Sequence, residues 1–301
     1  MLSPIVIFAY NRPKHLKVLL DSLEKNRLEK KRKIFLYCDG PKSNGDKKKI
    51  TQIKSLLKKK KKYFFYKIKF QKKNIGLSKN IIGGISEVLK DNDRCIVLED
   101  DLVINSMTIE YMDKALSELK FRKDFGSVSA YSYLQNFGMF KSYDYYITKR
   151  HCSWCWGTWR RVWNSINWDS INYDSHFKSK NEINNFAKAG NDLNLLFWAQ
   201  KKSIIDSWAI RFNYHCFKKK LLSFQPRFSL IANKGRDNSG THERLNLKLS
   251  EDNIDYYPNL KIKNLLKKTI RSNKIDYFIK KSHRRSIKLS LRYFFQYFRL
   301  V

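Results

Sequence analysis

The sequence predicts an α/β protein, a mainly parallel sheet covered by helices on both faces. Two features of the first hundred residues carry that expectation: strand-length apolar runs alternate with helix-period stretches, and polar turn residues cut each run short. The third is size. A chain of 301 residues with 42% apolar and 15% aromatic side chains can bury a sizeable core, in one large domain or two small ones.

Pro4 to Ala9 is the first apolar run. Asn11-Arg12-Pro13 breaks it and opens a helix with Leu16, Leu19, Leu20 and Leu23 on one face. Lys33 to Cys38 reads as a second buried strand, ended by the turn Asp39-Gly40-Pro41-Lys42. A lysine-rich helix follows from about Asp46, with Ile50, Ile53, Leu56 and Leu57 inward and Lys58 to Lys62 as its solvated end. Tyr63 to Phe70 alternates like a third strand. After Asn74-Ile75-Gly76-Leu77-Ser78 comes a helix through Ile81, Ile82, Ile85, Val88 and Leu89. Arg94 to Leu98 is a fourth strand, followed at once by Glu99-Asp100-Asp101. This order implies right-handed crossovers and a Rossmann-like sheet, whose ligands bind beyond the carboxyl ends of its strands. Ala9 to Arg12, Asp39 to Lys42 and Glu99 to Asp101 all fall at that edge.

The second half is less regular and rich in aromatics: six of the seven tryptophans lie between 154 and 198. From Asn259 to Val301 there are 13 Lys and Arg against one acid, Asp276. Ile287, Leu291, Phe294, Phe295 and Phe298 share one helical face there, with Lys288, Arg292 and Arg299 opposite. The expected organisation is a globular domain over residues 1–250, with halves 1–105 and 106–250, and a basic amphipathic helical tail over 251–301. Such a tail suits an anionic membrane surface, or docks back on the domain. No apolar run reaches about 18 residues, so no membrane-spanning helix is expected. Met1-Leu2-Ser3-Pro4 lacks a basic lead, which reads as a chain that stays in the cytoplasm.

Sixty-two Lys and Arg against 27 Asp and Glu give a net charge of +35. That charge favours anionic partners. No nucleic-acid-binding motif accompanies it, and abundant Lys, Asn and Ile also fit translation of AT-rich coding DNA, so diphosphates or an acidic membrane face are expected rather than nucleic acid. Five cysteines without a regular framework fit a reducing compartment. Cys152 and Cys155, with His151 and His215-Cys216, admit a zinc site, but buried free thiols are the default reading.

Glu99-Asp100-Asp101 is the most informative feature. Adjacent carboxylates after a buried strand raise each other's proton affinity unless a cation neutralises them. Paired hard oxygen donors suit Mg²⁺ or Mn²⁺ completed by substrate phosphates, whereas an acidic first turn of a helix is the plainer alternative. Position at the ligand edge, in a chain poor in acids, favours the metal.

Four motifs now stand in order: the apolar strand with Tyr10-Asn11-Arg12-Pro13, then Cys38-Asp39-Gly40, then Asn74-Ile75-Gly76-Leu77-Ser78-x-Asn80, then Leu98-Glu99-Asp100-Asp101. Together they resemble the GT-A fold glycosyltransferases, particularly the bacterial family-2-like enzymes. The Glu-Asp-Asp form is also similar to that of the N-acetylglucosaminyltransferase that starts complex N-glycans. The resemblance covers residues 4 to 245. It implies that Ala9, Tyr10, Asn11 and Arg12 wrap the nucleotide, that Asp39 accepts a hydrogen bond from its base, and that Asn74, Gly76 and Ser78 lie near ribose and donor sugar. Asp101 would be the direct metal ligand, with Glu99 and Asp100 on donor sugar, ribose or metal-bound water. His242 matches a late histidine ligand, although a lone loop histidine is usually just exposed. Lys234 and Arg236, in the polar loop Ala232 to His242, could meet phosphate oxygens.

The implied chemistry needs such parts. A nucleoside diphosphate leaves poorly until a divalent ion and cationic side chains neutralise its developing charge, and the acceptor hydroxyl must lose a proton to a carboxylate. Asp206, between apolar residues and beside Trp208, is the expected base, its basicity raised by desolvation; a helix N-cap is the competing reading. Asp192 is the runner-up, and Asp169 and Asp174 are weaker. Trp154, Trp156 and Gly157 are the expected sugar-facing residues, by ring stacking and close backbone approach. At least half of the neighbouring tryptophans are expected in the core.

The resulting expectation is a metal-dependent, inverting glycosyltransferase with a UDP- or GDP-sugar donor and a glycan or lipid-linked acceptor. It would work in the cytoplasm, peripheral on the inner face of the membrane, as in bacterial surface polysaccharide assembly. A dinucleotide oxidoreductase or P-loop nucleotidase lacks its glycine motif here. A sugar-1-phosphate nucleotidyltransferase, the closer rival, lacks its glycine-rich loop after strand one. A basic nucleic-acid-binding protein leaves the acidic triplet unexplained.

Overall fold

The computed structural model describes residues 2–26, 28, 31–134, 142–235, 262, 264–283 and 293. The first half runs β1 (Ile5–Ala9), α1 (Pro13–Glu24), β2 (Ile34–Cys38), α2 (Asn44–Phe64), β3 (Phe65–Phe70), α3 (Leu77–Asp91) and β4 (Arg94–Glu99). Pro13 opens α1 where its missing N–H is harmless. α2 starts with a capping box in which Ser43 and Asp46 exchange side chain–backbone bonds. The lysine run propagates that helix through Phe64, so β3 begins two residues later than its alternation suggests. Leu16, Leu19, Leu20 and Leu23 of α1 and Ile81, Ile85, Val88 and Leu89 of α3 are buried in the main core.

The second half continues with β5 (Leu102–Ile104), α4 (Thr108–Glu118), β6 (Phe125–Ser129), β7 (Tyr145–Thr148), β8 (Trp156–Trp159), α5 (Arg160–Trp163), α6 (Tyr173–Lys178), α7 (Lys180–Phe186), α8 (Leu193–Lys201), α9 (Trp208–Lys218), β9 (Leu222–Pro226), β10 (Ile231–Asn233), β11 (Thr269–Arg271) and α10 (Asn273–Ser282). The main sheet has the order β11-β7-β9-β6-β8-β4-β1-β2-β3. β8 is antiparallel to β4 and β6, and β7 to β9; the other neighbours are parallel, so the mainly parallel sheet stands as expected. β5 and β10 form a separate antiparallel ribbon. β1 lies between β2 and β4, which makes the gap between the loops after β1 and β4 the crevice where such sheets take ligands.

The expected boundary near residue 250 moves. β11 is the edge strand beside β7, and Ile275 and Ile279 of α10 pack with Leu134 and Tyr146. The basic composition of this stretch marks its solvated side, while its apolar residues complete the sheet. Ile287, Leu291, Phe294, Phe295 and Phe298 lie outside the described residues; Tyr293 packs with Leu195 and Ala199 of α8.

All five cysteines are buried free thiols, and Cys152 and Cys155 belong to the main core. His151 directs its ring nitrogens to Ser127 Oγ at 2.7 Å and the Leu221 carbonyl at 3.3 Å, not to the cysteines. Among the described residues, no helix is long and apolar enough to cross a membrane.

Candidate active site

The loops after β1 and β4 meet across the crevice. The Tyr10 backbone N–H donates to Asp100 Oδ2 at 3.2 Å. Arg12 Nη1 donates to Asp101 Oδ2 at 2.9 Å, and its Nε lies 3.7 Å from Asp100 Oδ1. Both members of the closer pair are largely withdrawn from water, with side-chain exposures of 16% for Arg12 and 14% for Asp101. Glu99, which ends β4, has no hydrogen-bond or ion-pair partner among the described residues.

Arg12 makes the ion pairs of this triplet among the described residues, and three buried carboxyls this close together do not all stay ionised beside one guanidinium. Burial, then the charges of Asp101 and Asp100, push Glu99 up to about 8. Burial pushes Asp100 up to about 6 against the pull of Arg12. For Arg12, burial opposes the charge, but Asp100 and Asp101 outweigh it and raise the guanidinium further. A divalent cation would correct this deficit. Among the described residues no group of three or more His, Cys, Asp or Glu side chains is placed to hold a metal ion by itself, so such an ion would need phosphate and water oxygens beside the carboxylates. A carboxylate such as Asp101, completed by those oxygens, is a donor of the hard type that Mg²⁺ or Mn²⁺ accepts.

Asp39 organises the next wall. Oδ1 accepts from Gly40 N and Ile75 N at 2.8 and 2.9 Å, and Oδ2 from Asn74 Nδ2 and Gly76 N, both at 3.0 Å. Its acceptor positions are filled by this loop, which corrects the expected bond to a nucleotide base. Asp39 shapes the loop instead. A Cβ on Gly40 would lie 2.8 Å from Asn74 N and nearer still to the Lys73 carbonyl, and Gly76 has φ +85° at the start of α3.

Asp46 is a residue the sequence revealed only as a helix start. It accepts from Tyr10 Oη at 2.8 Å, Asn11 Nδ2 at 2.7 Å, and the N–H groups of Lys42 and Ser43 at 3.1 and 3.0 Å. These bonds, that of Asn11 foremost, hold its carboxyl well below the usual range, and burial with the Asp46 contact pushes the Tyr10 phenol up to about 12. The spacing Ser43-x-x-Asp46 signals the cap but not this reach back to β1.

The third wall comes from β10. Its pairing with β5 lays residues 233–235 over Asp101, where Lys234 N–H donates to the Asp101 carbonyl and Gly235 N–H to Asn233 Oδ1, both at 2.8 Å. A Cβ on Gly235 would overlap Asp101 Oδ2 and come within 3.0 Å of Arg12 Nη1. Lys234 lines, with Lys14, His15 and Val18, a depression of about 170 Å³ beside Asp101. Arg236 and His242 lie outside the described residues.

Asp206 departs from expectation. Its side chain is 58% exposed and paired with Arg211 at 2.8 Å, so the apolar burial that was to raise its basicity is absent. The N-cap of α9 is Ser207, whose Oγ accepts from Ile210 N. Arg211, unanticipated from the sequence, also donates to Ser78 Oγ and to the Trp168 carbonyl, and so ties Asp206 to the first turn of α3. Ser78 is buried beneath it. Asp192 is buried and bound at both oxygens by Arg150, at 2.7 and 2.9 Å. Asp174 pairs with Lys201, and Asp169 is exposed.

Trp154 is half-buried and perpendicular to Tyr131 at 4.8 Å, just ahead of β8, where the chain bends at Cys155 with φ +40°. Trp156 faces no solvent. It is 1% exposed, stacked on Trp208 at 4.9 Å and against Phe212 and Trp163. A Cβ on Gly157 would meet the Cys95 carbonyl and Leu116 Cδ1, both at 2.8 Å, so its small size serves packing of α4 on the sheet, not a sugar. Successive strand residues face opposite sides, and both sides are covered here.

The family model described as glycosyl transferase family 2 matches residues 5–181, more than half of the chain. Among solved structures the chain is similar to TarS residues 1–349 of S. aureus, at 17% identity over 55% of this chain and 50% of that one, with a TM-score of 0.39. It is also similar to the mannosyltransferase PcManGT from Pyrobaculum calidifontis, solved with GDP-Man and Mn²⁺, at 10% identity over 72% and 70%, TM-score 0.43. The galactosyltransferase LgtC, solved with donor and acceptor sugar analogues, matches at 12% identity over 71% and 70%, TM-score 0.35. The chain spans half or less of the length of the TarS structures it matches. No curated protein matches it.

Proposed function

The chain belongs to glycosyl transferase family 2, and from that premise we propose that it moves a sugar from a UDP- or GDP-sugar donor to a glycan or lipid-linked acceptor, with a divalent metal ion held at Asp101. The observation that carries the reading is the triplet Glu99-Asp100-Asp101, undercharged by cations and set at the crevice between β1 and β4. Bound Mn²⁺ or Mg²⁺ would neutralise the charge developing on the diphosphate leaving group.

The chain's own residues supply the rest. Tyr10 and Asn11, fixed by Asp46, and the Asn74–Gly76 loop, fixed by Asp39, form two walls already ordered for a nucleotide. Such order lowers the entropic cost of binding. Glu99, lacking a protein partner among the described residues, is available to the hydroxyls of a donor sugar, and half-buried Trp154 is the ring proposed to meet a sugar. Asp206, exposed and paired with Arg211, is the carboxylate proposed to take the proton of the acceptor hydroxyl as its oxygen attacks. A single displacement of this kind inverts the anomeric centre.

A place at the inner face of the cytoplasmic membrane, in bacterial surface polysaccharide assembly, belongs to the same proposal. Its support is the exposed Leu266 and Tyr277 among Lys267, Lys268, Arg271, Lys274 and Lys281. Anionic vesicles should sediment the protein and high salt should release it; equal binding to neutral vesicles would remove the membrane claim.

Calorimetry tests the enzymatic reading. UDP or GDP should bind in the presence of Mn²⁺, and Asp101→Ala should abolish that dependence; unchanged affinity in the variant overturns the metal role. Asp206→Asn should keep donor binding while transfer falls about a hundredfold or more. An active Asp206→Asn enzyme means another group takes the proton.

A further inference from the structure

We propose that Arg12 is the resident counter-cation of the acidic triplet, that a divalent ion displaces it from Asp101, and that the released guanidinium then closes on the donor diphosphate. The proposal rests on the nucleotide-sugar reading above and adds an order of events to it.

Three observations converge on Arg12. Its Nη1 holds Asp101 Oδ2 at 2.9 Å while its Nε faces Asp100 Oδ1 at 3.7 Å, so one guanidinium spans the oxygens an ion would need. The pair is confined. Backbone at Gly235 lies so near that a single added carbon would overlap Asp101 Oδ2 and sit 3.0 Å from Arg12 Nη1. A hydrated ion on that oxygen therefore has no room beside the guanidinium, and two cations on one carboxylate repel strongly where water is scarce. Third, Arg12 precedes Pro13 at the start of α1, directly after Tyr10 and Asn11, which Asp46 anchors. It follows directly on residues held at the nucleotide wall, so release from Asp101 needs only rotation of its side chain, and its planar fork matches phosphate oxygens.

The arrangement makes metal and donor mutually dependent. Metal alone must break the Arg12–Asp101 pair and leaves the guanidinium only its longer contact with Asp100, at 3.7 Å. A diphosphate arriving with the metal gives Arg12 a new anionic partner. Linkage then requires each ligand to tighten the other. Arg12 thus acts as a latch that disfavours metal without donor.

The decisive measurement is binding of Mn²⁺ alone, followed by calorimetry and by the spin-resonance signal of the free ion. Arg12→Gln should bind Mn²⁺ alone about tenfold more tightly than the parent protein, because the competitor is gone. In saturating Mn²⁺ the same variant should bind UDP or GDP about tenfold more weakly, because the clamp is gone. Arg12→Lys keeps a charge and should stay nearer the parent in the first titration. Asp101→Ala should bind no Mn²⁺, which locates the titrated site. Opposite signs from one substitution are not what a loosened fold produces. Mn²⁺ binding that is unchanged or weaker in Arg12→Gln overturns the proposal. A parent protein that binds Mn²⁺ but neither nucleotide defeats the enzymatic reading, while the Mn²⁺ comparison still decides the role of Arg12.

Discussion

Asp39 and Asp46 spend their acceptor positions on shaping the site, whereas the carboxyl of Glu99 stays unbonded among the described residues. The difference lies in supply: backbone N–H groups and amide side chains converge on the first two, and none of the described residues bonds the third. Trp154 and Trp156 divide in the same way, although only one residue separates them. Trp156→Ala removes a ring packed among Trp208, Phe212 and Trp163 and should cost about 3–5 kcal/mol in denaturant unfolding. Trp154→Ala should cost well under half of that and instead raise the KM for acceptor. Equal destabilisation by the two would place Trp154 in the core as well.

At the level of elements, the site depends on loops clamped from below. The Asn74–Gly76 loop is held through Asp39, and Gly40 is the point where the two loops touch. Gly40→Ala should push the Lys73–Asn74 backbone away, costing about 1–3 kcal/mol of stability. Nucleotide affinity should fall with it, since the same shift breaks the hydrogen bonds to Asp39. Unaltered affinity would mean that the loop takes no part in binding. The ribbon of β5 and β10 performs the equivalent task on the other side by laying residues 233–235 over Asp101.

For the whole molecule, buried histidines give a pH signature. Burial lowers His151 and His283 to about 4, against an ordinary value of about 6.5. The folded state therefore favours the neutral rings, and the unfolded chain binds more protons between these limits. The contribution of each ring is complete above about pH 6.5 and is lost as the pH drops towards 4, by up to about 1.4 kcal/mol per pH unit. Glu99 and Asp100, raised to about 8 and 6, bind extra protons in the folded state and oppose it over part of the same range. Urea unfolding of the parent and of His151→Gln at pH 4.5, 5.5 and 6.5 isolates the ring: the stability difference between the two should change with pH in the sense given by His151. A slope identical in the variant would mean that His151 is not held neutral. The net charge of +35 adds repulsion throughout, which salt should relieve.

The first four strands, their order of appearance and the edge that carries the candidate site were legible in the sequence, because they follow from local patterns, whereas the strands after Glu99 were not. A run such as Ile5 to Ala9 is too apolar to sit anywhere but inside, and the polar residues after it mark where the chain leaves the sheet. The acidic triplet was legible for the same reason, as three scarce charges at one strand end. Tertiary structure alone decided the roles of individual side chains. Asp39 meets residues 74 to 76, Asp206 meets Arg211 and through it Ser78, Trp156 meets Trp208, and β11 meets β7 across more than a hundred residues. Burial and charge at each are set by partners distant in sequence, so whether a group is spent on the fold or left for chemistry is fixed only when the chain has closed on itself.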